Sequence, residues 1–185
     1  MNKRRNWVIV LVISVTAGFF ALQNGIKPGA NIPIDITDSV TPTPTYEGCA
    51  FVWANHDDPE VSKKVDGIVR AFDPKADANA SLYGEDCVYA DGHSTFSTME
   101  TDFYVHVPVE DLTNKEAIGN WIRQVMDAFL EIPKDEIPGN DGFVEFWFIK
   151  SKTENLIIRV PLSDYRNEAQ GKSGSELFEL FYKNH

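Results

Sequence analysis

Imidazole and carboxylate side chains gather in one stretch of this chain. Residues 82 to 109, LYGEDCVYADGHSTFSTMETDFYVHVPV, hold His93 and His106, two of the four histidines, together with Asp91, Glu100 and Asp102. Such groups make metal sites and acid/base pairs, and a metal site needs three or four of them within about 2.0 to 2.6 Å of the ion. An extended backbone opposes that convergence. Asp102 and His106 are four residues apart, roughly 13 Å along a straight strand, so they share an ion only if the strand bends. The expectation is a wet strand face with no metal and no cofactor. With Tyr104 and, further on, Trp147, these residues form a candidate binding set: Asp91, His93, Glu100, Asp102, Tyr104, His106 and Trp147.

Other chemistries find less support. His56-Asp57-Asp58 places a carboxylate beside a histidine, as hydrolytic sites do, but both acids are expected to serve as helix-start residues. Asp91-Gly92-His93 lacks the acidic spacing of a calcium loop. There is no G-x-S-x-G nucleophile elbow and no G-x-G-x-x-G. The one G-K-S, Gly171-Lys172-Ser173, has Arg166 where a phosphate loop needs its first glycine. Cys49 and Cys87 sit in no C-x-x-C motif, and the pair is expected to be a structural disulfide, which also removes a cysteine nucleophile.

The compartment follows from the N-terminus. Lys3, Arg4 and Arg5 precede an apolar run from Trp7 to Leu22, the pattern of an export signal, oriented with its cations in the cytoplasm. No good cleavage site follows, so residues 1–22 are expected to stay as a signal anchor, with cleavage and secretion as the alternative. Residues 23–46 include Thr41-Pro42-Thr43-Pro44-Thr45, an extended spacer, and residues 47–185 form an extracytoplasmic domain. The net charge is -11, and setting aside the three N-terminal cations gives -11 - 3 = -14 for the rest. Such a body repels nucleic acid and anionic lipid, so contact with a membrane is expected through the N-terminal segment alone. Its plausible partners are cations, basic proteins and neutral molecules.

The elements that must position the candidate residues can be read from periodicity. A strand opens at Cys49-Ala50-Phe51-Val52-Trp53-Ala54. Asp57-Asp58-Pro59-Glu60 then starts a helix whose Val61, Val65, Ile68, Val69 and Phe72 share a face, and Asp73-Pro74 ends it. Next come two strands joined across Ala90-Asp91-Gly92. The first is either short or a longer strand with a bulge at Gly84. In the second, Phe103, Val105, Val107 and Val109 alternate with Asp102, Tyr104 and His106.

A second helix is expected from a capping box at Thr113-Asn114-Lys115-Glu116, with a stripe of Ile118, Trp121, Ile122, Val125, Phe129 and Ile132, stopping at Pro133. Residues 143–149 and 156–160 read as another hairpin, and Ser173-Gly174-Ser175-Glu176 caps a last helix. The order β-α-β-β-α-β-β-α predicts a two-layer α+β domain, with a mostly antiparallel sheet and helices mainly on one face.

Phe146-Trp147-Phe148 is apolar on both faces, so its strand is either covered on both sides or meets a partner. Trp53, Trp121 and the tyrosines are expected in the core or at its margin. Asn79-Ala80-Ser81 fits a glycosylation sequon. The leading expectation is a non-enzymatic, membrane-tethered extracytoplasmic domain that binds a protein or small molecule. The alternative is a hydrolase or metal-dependent enzyme using Asp91, His93, Glu100 and Asp102.

Overall fold

The computed structural model describes residues 48–183; the expected anchor and spacer, residues 1–22 and 23–46, lie outside them. Among the described residues no helix is long and apolar enough to cross a membrane. The chain forms β1 (Ala50–Asp57), α1 (Pro59–Phe72), β2 (Asp77–Val88), β3 (Ser94–Pro108), α2 (Lys115–Leu130), β4 (Asn140–Ile149), β5 (Asn155–Pro161), α3 (Leu162–Glu168) and α4 (Gly174–Tyr182). The strands pair in the order β1-β2-β3-β4-β5. All neighbours run antiparallel except β3 and β4, which α2 connects in parallel. This is the expected α+β class, with α3 as an added element. That helix is short and follows Pro161 without a side-chain cap, so it has too few turns to show a period.

Local chemistry sets the helix ends. Asp58 Oδ1 accepts from the backbone N–H groups of Glu60 and Val61, each at 3.0 Å, and Pro59 occupies the first turn. Asp57 is strand, not helix start. Ser173 and Glu176 close the expected capping box on α4. The box expected at Thr113 does not form, because Asn114 is the cap and accepts from Ala117 N at 3.0 Å. Glu116 instead reaches across to α4, where it accepts from Ser175 N at 2.8 Å and Gly174 N at 3.3 Å. That contact neutralises unpaired donors of a second helix, and those N–H groups hold the Glu116 carboxyl below its usual range.

A single core lies between the sheet and the helices. Val61, Val65 and Val69 of α1 join Ile118, Ile122, Val125 and Phe129 of α2, and Leu177 and Phe181 of α4. From the sheet come Phe103, Val105, Val107, Phe146 and Phe148. Burying each large side chain contributes about 1.5–3 kcal/mol. Helices α2 and α4 cross where Gly119 meets Gly174, since a Cβ at Gly119 would lie only 2.9 Å from the Gly174 Cα and overlap its carbonyl. Ile132 falls beyond the end of α2, and Trp121 is half-buried. Trp53 departs from expectation, since it is 59% exposed on β1, whose residues are exposed on both faces.

The long-strand reading of β2 holds. It runs from Asp77 to Val88 with a register shift at Tyr83/Gly84, so that Tyr83 faces Glu100 and Gly84 faces Thr98. A Cβ on Gly84 would meet the Ser97 backbone, 3.0 Å from its carbonyl carbon. Beyond the shift β2 and β3 run on, with β1 beside β2 as far as Val88, to the turn at Gly92, which has φ +88°.

Candidate binding face

Strand register decides which side chains share the face opposite the helices. Tyr104 pairs with Glu145 and His106 with Trp147, and these pair in turn with Arg159 and Ile157 of β5. On the other side Asn79 lies opposite Tyr104, and Asp77 opposite His106. Because side chains alternate across a sheet, Asp102, Tyr104, His106, Phe143, Glu145, Trp147 and Arg159 project from one surface. The four helices send their buried residues into the core on the opposite side, while Tyr104, His106, Phe143 and Trp147 stay half-exposed on this one.

The face is ordered by its own contacts. Glu145, only 8% exposed, accepts from Arg159 Nη2 at 2.6 Å and Nε at 3.0 Å, and from Trp147 Nε1 at 2.9 Å. Arg159 also lies 3.9 Å from the centroid of the Phe143 ring, and Tyr104 meets that ring edge-on. His106 Nδ1 is 2.8 Å from Asp77 Oδ1, and its ring stands 6.0 Å from that of Trp147. These contacts restrict the rotamers of several side chains before any ligand arrives, which lowers the entropy lost on binding.

Asp102 lies deeper in this surface. It is 5% exposed and accepts from Phe143 N at 3.2 Å, where β3 and β4 shift register. Gly142 makes room for it, because a Cβ there would stand 2.5 Å from Thr101 O and would strike the Asp102 carboxylate. Burial raises the Asp102 carboxyl to about 6, opposed by the Phe143 N–H and assisted by nearby Glu100. Burial likewise raises the Tyr104 hydroxyl, with the Asp102 charge adding to the shift.

The structure brings Asp102, Tyr104, His106 and Trp147 onto this common surface, with Glu100 on the same face of β3 towards the bulge. It does not bring Asp91 and His93 to them. Those two lie in the β2–β3 turn, where Asp91 Oδ1 accepts from His93 N at 3.1 Å and touches His93 Nδ1, and where the His93 ring stacks on Tyr89. From Ser94, at the base of that turn, to Asp102 is eight residues, roughly 26 Å of strand. Asp91 and His93 therefore cannot act on the same atom as Asp102. Among the described residues no three His, Cys, Asp or Glu side chains converge into a cluster that could hold a metal ion. His56 is met not by Asp57 but by Asp86, 3.2 Å away, and by the Phe96 ring.

Phe143, which flanks the aromatic run at Trp147, and Glu145 and Arg159 belong to this face and stand outside the binding set expected from the sequence. The available signal was parity, since Phe143 and Glu145 are in step with Trp147 along β4. Arg159 needed the β4–β5 register as well.

Cys49 and Cys87 are joined, with Cα atoms 5.2 Å apart, tying the start of β1 to the far end of β2. A structural disulfide points to an oxidising, extracytoplasmic environment. Set against known proteins, the chain matches no family model, no curated protein and no solved structure.

Proposed function

We propose that this chain is a non-enzymatic binding module, held on the outer side of a membrane by an uncleaved anchor within residues 1–22, with its N-terminus in the cytoplasm. The binding surface is the sheet face around Tyr104, His106, Phe143 and Trp147. One observation carries the reading: all the helices lie on one side of the sheet, while the other side presents a preorganised aromatic and acidic surface with no described element over it. Aromatic rings at this depth give large contact area at small entropic cost, and they suit a protein or a sugar. Around these rings Asp77, Glu100, Asp102 and Glu145 share the face with one cation, Arg159, which favours neutral or basic ligands over anionic ones. The binding reading is preferred to an enzymatic one because Asp91 and His93 stand far from Asp102.

The test is site-specific photo-crosslinking in intact cells. A photoreactive residue at Tyr104 or Trp147 of the full chain should give a discrete adduct, while one at Lys63, exposed on α1, should not. Adducts of equal yield from all three positions, or none from the face, would sink the proposal. Protease accessibility of the domain in intact cells and in inverted vesicles checks the orientation, and cleavage only in inverted vesicles would overturn it.

A further inference from the structure

Among the described residues the sheet has two edges, β1 and β5, finished differently. β5 carries Arg159 and ends at Pro161, features that discourage another strand from pairing. β1 has no Lys, Arg or Pro, and seven of its eight residues are exposed. Phe51, Val52 and Trp53 are 70%, 53% and 59% exposed, and Val88, directly opposite Ala50, is 37% exposed. Phe51 and Trp53 project to one side and Val52 to the other, so apolar area flanks the open edge on both faces. The edge is also held in place. The Cys49–Cys87 bridge secures one end, and Trp53 stacks on Tyr83 with ring centroids 5.6 Å apart.

Charge says what fits there. From Ala76 to Asn114 the chain holds eight acidic residues and no Lys or Arg, and from Cys49 to Ser62 it holds three acidic residues and again no Lys or Arg. Asp57 lies on β1 itself, and Glu85 lies opposite Trp53. Opposite Val52, Asp86 adds a carboxylate on the second face; its Oδ2 meets His56, and its buried Oδ1 has no hydrogen-bond partner among the described residues. A second copy of this chain would set the same carboxylates against themselves, which like-charge repulsion disfavours.

We propose that β1 is the docking edge for an extended, basic segment of a partner protein, which adds as a further strand. Its backbone pairs with the open side of Ala50–Asp57, its apolar side chains cover Phe51, Trp53 and Val52, and its Lys or Arg side chains meet Asp57 and Glu85. This surface goes beyond the face around Trp147. The two can fail separately, because Tyr104 and Trp147 lie on β3 and β4, away from the β1 edge.

The test uses the full chain in detergent micelles with two synthetic probes, a peptide of alternating Lys and Val and its Glu/Val counterpart, followed by amide hydrogen exchange. The Lys/Val peptide should slow exchange about tenfold at alternate amides of β1, equivalent to about 1.4 kcal/mol. The Glu/Val peptide should not. The double variant D57K/E85K, both positions being accessible, should keep its melting temperature and lose the protection. Equal protection by both peptides would overturn the basic partner. Protection that appears without peptide and grows with protein concentration would assign the edge to a second copy. No protection of β1 by the Lys/Val peptide would overturn strand addition altogether.

Discussion

Removing the Cys49–Cys87 bridge is the perturbation whose size can be worked most directly. The bridge closes a segment of 38 residues that contains β1, α1 and most of β2. Loop closure in the unfolded chain on that scale corresponds to about 4 kcal/mol at 25 °C. The described part of the chain, residues 48–183, has 136 positions. At about 2.1 cal/mol/K per residue its unfolding entropy is about 0.29 kcal/mol/K, so 4 kcal/mol corresponds to a fall of about 14 °C. That figure is a ceiling. No β1 residue is buried, so the reduced protein can release β1 at small cost and recover part of the loss. The assay is thermal unfolding of the full chain and of a Cys49→Ser/Cys87→Ser variant by near-ultraviolet circular dichroism, with amide exchange of β1 measured alongside. The expected result is a drop of about 10–14 °C and faster exchange in β1 than in β3. A drop of less than about 3 °C with β1 still fully protected would refute the reasoning, because the bridge would then constrain nothing that the ladder does not already hold.

Gly119→Ala should cost about 1–3 kcal/mol or more in urea unfolding, since the added methyl meets backbone rather than a flexible side chain; a loss under about 1 kcal/mol would mean the α2–α4 crossing can widen freely. Glu145→Ala should cost about 1–3 kcal/mol by removing the half-buried acceptor of Trp147 Nε1 and one acceptor of Arg159, and Glu145→Gln should cost less because it keeps an acceptor; equal losses would place the effect in packing instead. Asp102 predicts a pH dependence. Its carboxyl ionises at about 6 in the fold against about 3.9 unfolded, so the stability it contributes is complete below pH 4 and is lost as pH rises through 6. Relative to the wild type, Asp102→Asn should therefore gain up to about 3 kcal/mol between pH 4 and pH 8, with the depressed carboxylates elsewhere, such as Asp66 beside Arg70, cancelling in the comparison. A pH-independent difference between the two proteins would contradict the burial argument.

Much of this fold is written locally. The stripes of α1 and α2, the caps at Asp58 and Ser173, and the alternation of β3 depend on neighbours within a few residues, so periodicity and capping chemistry identify them directly. The pairing of Cys49 with Cys87 needed only the count of two cysteines and an export-like N-terminus. What lay beyond the sequence were relations between segments. The placing of Glu145 between Trp147 and Arg159, the use of Glu116 to cap α4, and the burial of Asp102 behind Gly142 arise from register and packing across long separations. Period two says which side chains share a face of one strand, but not which strand lies beside it or whether a helix covers that face. Only the tertiary structure could put His106 next to Trp147 on the face away from the described helices, and only it could leave Asp91 and His93 in the β2–β3 turn, away from Asp102.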